Sequence, residues 1–187
     1  MINKYAITHT GNMPIRVLQH NLIYSFENLN SDFLQLSRKV IEKLNLDPGI
    51  SYSIEEERVR SPYVLYKKIF IQETFLSYVW CMAFSLPVLY EEINVKGSIN
   101  VYFDSTVERI DQEKIHEAYS LWDYGISLIK RYSEWDKMTL PNPEYYHEKY
   151  NELIPKINRL YLIAMNFILA HEFAHIELEH DTTSNEN

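Results

Sequence analysis

The stretch Leu160-Tyr161-Leu162-Ile163-Ala164-Met165-Asn166-Phe167-Ile168-Leu169-Ala170-His171-Glu172-Phe173-Ala174-His175-Ile176-Glu177-Leu178 decides how the chain is read. Leu160, Ala164, Phe167, Ile168, His171, His175 and Leu178 recur at helical spacing, which predicts a helix with this stripe turned to the core. His171 and His175 continue the stripe. Buried imidazoles need partners, and a metal ion supplies them. The alternative is a His pair satisfied by ordinary core neighbours.

His171-Glu172-Phe173-Ala174-His175 is an H-E-x-x-H pattern. Two His four positions apart on a helix lie one turn apart on one face, so both imidazoles can reach a single tetrahedral Zn²⁺. Glu172 is offset from His171 by about 100°. It is therefore expected to reach an attacking water rather than the metal, and to serve as general base in peptide hydrolysis.

The third ligand is not evident. Catalytic zinc usually has three protein ligands, and the chain ends 12 residues after His175 at Asn187. Asp181 stands six positions after His175, but Leu178 occupies the place where a glycine turn is expected. His180 is one residue out of that register. Glu179 sits about 80° from His171 on an ideal helix. Upstream, His116-Glu117 and His147-Glu148 are candidates, and both also read as solvated helix faces. A further expectation is that these residues are the N-terminal portion of a longer protein, with the missing ligand downstream.

Outward from the motif, Glu144 to about Glu179 is expected to be helical, with Pro155 kinking or splitting it. Pro141-Asn142-Pro143 reads as a linker. Asp111 is placed to cap a helix through about Tyr132, using Ile115, Ala118, Leu121, Trp122 and Ile129. Ile99 to Phe103 reads as a short strand. Ser61-Pro62 predicts a helix start, with the helix running to about Ser85 and Pro87 forcing a break or a new turn. Ile50 to Arg60 alternates weakly, as in a strand. Asn30 or Ser31 can cap a helix from Asp32 to about Asn45, and Asp47-Pro48-Gly49 ends it. Short β-like pieces are expected at Ile15 to Leu18 and Asn21 to Phe26. The fold class is therefore mainly α (α+β): one helical domain over residues 1–187 with a small sheet, and a motif helix near its C-terminus.

Composition agrees. With 46% apolar and 24% charged residues and few Gly or Pro, the chain is neither disordered nor fibrous. A net charge of −8 disfavours nucleic acid or an anionic membrane as the main partner. The uncharged run Phe75 to Tyr90 falls short of the ~20 residues that span a bilayer, and reads as a buried helix, with a membrane-surface role as the lesser alternative. Cys81 lies inside it and reads as an inert buried thiol. The N-terminus lacks an apolar leader, so a cytoplasmic protein is expected. Tyr145-Tyr146-His147-Glu148-Lys149-Tyr150 could offer an oxyanion-stabilising hydroxyl, or pack as an amphipathic helix. Glu55-Glu56-Glu57 reads as a solvated face, and His9 and His20 have no partner at ligand spacing. No phosphate-binding glycine loop and no Ser or Cys nucleophile elbow is present.

The segment Phe167 to His180 resembles the signature of zincin-type metallopeptidases, and within them the phage-exclusion Lit-type peptidases, in which a long helical portion leads into the motif. The resemblance implies that His171 and His175 bind Zn²⁺, that Glu172 is the catalytic base, and that the substrate is an intracellular protein, elongation factor Tu during phage infection. Zinc peptidases that cleave repressors in stress responses share a similar signature. A non-catalytic interaction module with a degenerate metal site is the other alternative.

Overall fold

The computed structural model describes residues 13–27, 35, 39, 50–53, 58–65, 68–103, 108–144 and 150–178. A 3-10 turn, Pro14–Leu18, leads into helix α1, Gln19–Glu27. Strands β1 (Ile50–Ser53), β2 (Tyr63–Leu65) and β3 (Lys68–Gln72) follow. Helix α2 spans Glu73–Leu89 and passes through a π-helical turn, Tyr90–Val95, into α3, Lys96–Tyr102. Helices α4 (Gln112–Lys130) and α5 (Leu153–Glu177) complete the order. The mainly helical architecture with a small sheet is as expected.

Residues 15–27 differ from the sequence reading. Ile15 to Leu18 and Asn21 to Glu27 are helical, not extended. Ile15, Leu18 and Leu22 are fully buried, and their spacing of three and four suits a helical face better than an alternating strand. The helix expected over Asp32 to Asn45 lies outside the described residues, except that Gln35 and Lys39 are helical.

The sheet has β3 at its centre, parallel to β1 (Ile50↔Ile69) and antiparallel to β2 (Val64↔Ile69). Here the Ser61-Pro62 helix start fails. Proline's fixed φ suits extended backbone as well as a first helical turn, and the β-branched and aromatic residues that follow pair as strands. Ile69 and Ile71 turn inward, and Tyr63 stacks on Phe70 with ring centroids 5.2 Å apart. The helix begins only at Glu73. Its buried carboxylate accepts both donors of the Arg16 fork at 2.7 Å and Gln19 Nε2 at 3.0 Å, which fixes the N-terminal turn onto α2.

Of the break or new turn expected at Pro87, the structure shows the turn: α2 continues through the proline and changes pitch just after it. Pro87 costs the Ala83 carbonyl its usual donor, yet Tyr90 N–H reaches both Leu86 and Pro87 carbonyls, and Lys96 N–H reaches Glu91 five residues back. The chain thus widens to a π turn and stays helical. Of the strand expected over Ile99 to Phe103, Ile99 to Tyr102 belongs to α3 and Phe103 caps its end. Asn100 closes the following loop by exchanging two 2.8 Å hydrogen bonds with the Glu108 backbone. Inside the π turn, buried Glu92 accepts from Lys96 Nζ at 2.9 and 2.8 Å and from Asp111 N–H at 2.9 Å.

Asp111 caps α4 as expected, accepting from Glu113 and Lys114 N–H at 3.1 Å. Helices α2 and α4 pack closely at Gly125, where a Cβ would lie 2.9 Å from Cys81 Cβ. Cys81 is fully buried, and burial pushes its thiol well above the ordinary range. Pro141-Asn142-Pro143 is no linker: all three residues are buried, Asn142 Oδ1 accepts from Glu144 N–H at 3.0 Å, and the Pro143 carbonyl accepts from Asn158. Pro155 neither kinks nor splits α5. It lies in the first turn, where its missing N–H has no intrahelical acceptor to lose.

The core gathers around Trp80, Phe84, Leu121, Ile154, Tyr161 and Met165. Trp80 Nε1 donates to Asn158 Oδ1 at 2.7 Å, joining α2 to α5. Over Leu153–Ile176, α5 is long and apolar enough to cross a membrane by length and composition, while one of its faces contributes Tyr161, Met165 and Leu169 to the core.

Candidate functional site

Helix α5 sets the geometry of the motif. Its inward stripe is Ile154, Ile157, Tyr161, Met165, Leu169, Phe173 and Ile176. The stripe expected from sequence is therefore rotated: Leu160, Phe167 and Leu178 face solvent, and His171 is exposed. His171 stands about 200° around the helix from Leu169, on the opposite side of α5. His175 is half-buried. The reason for a metal drawn from burial of both imidazoles does not hold, because His171 can be solvated.

The rings nevertheless converge. His171 Nε2 and His175 Nε2 lie 3.1 Å apart, with ring centroids at 4.6 Å and ring planes at 89°. Two nitrogens each about 2.0–2.1 Å from one tetrahedral zinc stand about 3.3 Å apart, so the spacing suits two ligands of a single ion. It equally suits an N–H···N hydrogen bond between neutral imidazoles.

Glu172 occupies the side of α5 between the His pair and the core, only 8% exposed. Burial raises its carboxyl above the ordinary range, and the neighbouring His171 and His175 pull in the opposite direction without cancelling the shift. A carboxylate that binds a proton more readily than a solvated one is suited to accept and return it.

Among the described residues, no group of three His, Cys, Asp or Glu gathers as a metal site. Among the described residues, His171 and His175 are a pair of candidate donors that no third joins. Glu179, His180, Asp181, His147 and Glu148 lie outside the described residues. His116 is exposed on α4, and Glu117 accepts a hydrogen bond from Tyr150 OH. That bond and burial raise the Tyr150 hydroxyl above its usual range, burial most. Tyr150 packs against Phe84, which matches the packing reading of the tyrosine-rich segment; Tyr145 and Tyr146 lie outside the described residues.

A family model described as Peptidase U49 matches residues 69–187. The chain belongs to the Peptidase U49 family. The matched region begins at β3 and contains α2, α4 and the whole of α5, so the H-E-x-x-H helix lies within the peptidase portion. Membership in Peptidase U49 supports a hydrolase acting on a protein substrate. No curated protein and no solved structure matches the chain.

Proposed function

We propose that the chain is a zinc-dependent endopeptidase of the Lit type acting on a cytoplasmic protein, with His171 and His175 as metal ligands and Glu172 as general base. The carrying observation is the 3.1 Å convergence of the two Nε2 atoms beside a buried carboxylate on the same two turns, in a member of a peptidase family. Lit-type peptidases belong to that family, which supports elongation factor Tu as the substrate and phage exclusion as the setting. A zinc ion held by this pair supplies Lewis-acid polarisation of a scissile carbonyl and an acidified water. His171 and His175 hold the ion in place from adjacent turns of a helix anchored in the core. Glu172 takes the proton of the attacking water and delivers it to the leaving amine.

Metal analysis of the purified chain is expected to give close to one zinc per molecule, and His171→Ala to lose it. Glu172→Gln keeps the metal and abolishes cleavage of elongation factor Tu. Unchanged cleavage by Glu172→Gln contradicts the assignment of the base, and an intact elongation factor after incubation with the zinc-loaded protein contradicts the substrate.

A further inference from the structure

The outward face of α5 is not polar. Leu160 is 40% exposed, Ile163 66% and Phe167 76%. Their spacing of three and four aligns them on one helix face with His171. Solvated helix faces are normally polar, and clustered large apolar side chains mark a binding surface. At the amino end of the ridge stand the exposed Lys156 and Arg159, in a chain whose net charge is −8. Lys156 Nζ pairs with Glu152 at 3.8 Å, with both side chains exposed. Such a pair holds little free energy, so Lys156 is free to exchange partners.

We propose that the ridge Leu160–Ile163–Phe167, with Lys156 and Arg159 beyond it, is a docking surface for the polypeptide substrate. The proposal rests on the peptidase reading of His171, His175 and Glu172. Two features select this occupant. The ridge runs directly into the His pair on the same helix face, so a chain bound along it is delivered to the site. The basic end of an otherwise acidic protein complements an acidic side chain. Leu160 and His171 are eleven positions apart, about 16 Å along the axis, which about five residues of extended chain cover. The bound segment therefore carries apolar side chains up to about five residues from the cleaved bond, and an acidic residue beyond them.

The test uses the full chain and a fluorescein-labelled peptide carrying an aspartate, two leucines and a flexible serine–alanine tail, read by fluorescence anisotropy. Wild type, His171→Ala and Glu172→Gln are expected to bind it alike. The double variant Ile163→Asp/Phe167→Asp is expected to bind about tenfold more weakly or worse, with an unchanged melting temperature because both positions face solvent. In cleavage-site profiling of a peptide mixture, the same variant loses the distal apolar preference and keeps the zinc content of wild type. Lys156→Glu/Arg159→Glu reverses the preference for acid to base.

Peptide binding without any cleavage by wild type retains the ridge as a polypeptide-docking surface and overturns the catalytic assignment instead. Cleavage with the same profile in wild type and ridge variant overturns the docking proposal. It is equally overturned if the peptide fails to bind, if the ridge serves only to sediment the protein with vesicles of phosphatidylcholine and phosphatidylserine, or if the substitutions abolish self-association and nothing else.

Discussion

Replacing Arg16 by alanine tests the joint between the N-terminal turn and α2. Glu73 is 3% exposed, and its carboxylate accepts Arg16 Nε and Nη2 at 2.7 Å each. The same bond raises the Arg16 guanidinium above its ordinary pKa. In Arg16→Ala the carboxylate keeps Gln19 Nε2 at 3.0 Å and its place in the first turn of α2, where the helix dipole favours an anion. Two charge-assisted bonds disappear, each worth about 1.5–3 kcal/mol in a buried setting. The Arg16 side chain is 32% exposed, so screening reduces the total, and loss of about 2–3 kcal/mol is expected. For a chain of this size that is a drop in melting temperature of roughly 5–10 °C. Urea denaturation of wild type, Arg16→Ala, Glu73→Gln and the double variant measures it. The double variant should cost clearly less than the two singles together, because each single strands the other's partner. A cost below about 0.5 kcal/mol for Arg16→Ala, the level of an ordinary surface change, refutes the reasoning.

Gly125→Ala should destabilise. A helix-propensity gain of about 1 kcal/mol is outweighed by overpacking of about 1–3 kcal/mol, since the new Cβ would stand 2.9 Å from the backbone-anchored Cβ of Cys81; a raised melting temperature would show that α2 and α4 separate easily. Burial opposes ionisation of Glu92, but Asp111 N–H, Lys96 and Lys114 hold its pKa below the ordinary 4.5. The folded value lies below the unfolded one, so this contribution is complete above about pH 5 and is lost as pH falls through the folded value. Urea midpoints should therefore decline more steeply in wild type than in Glu92→Gln as pH drops below 4.5. Cys81 should resist thiol reagents in the native protein and react fully in denaturant.

What the sequence revealed depended on how local the determinant was. Asp111 caps its own helix through its side chain and the amides of Glu113 and Lys114, and it was readable. Helix α5 was readable as a helix, but not its orientation. Ile163 and Phe167 on one side are as apolar as Met165 and Leu169 on the other, so periodicity alone cannot say which side meets the core. Counting His171 among the inward residues followed from that ambiguity. Ser61-Pro62 misled because the backbone preference of proline serves both strand and helix, and pairing with β3 decided the outcome. Ile99 and Val101 suggested a strand by propensity, but they continue a helix already running through the π turn. Pro141-Asn142-Pro143 looked like a linker because nothing local predicts its burial against the Asn158 turn of α5. The approach of His171 to His175 was visible, since the two rings meet through their spacing on a single helix.

X-ray absorption at the zinc edge, measured on the full chain loaded with one equivalent of metal, tests the central assignment most directly. The account predicts at least two imidazole nitrogens in the inner shell at about 2.0–2.1 Å, with imidazole scattering reduced in His171→Ala and in His175→Ala. A chain that takes up no zinc, or one whose zinc spectrum is unchanged by both substitutions, contradicts it.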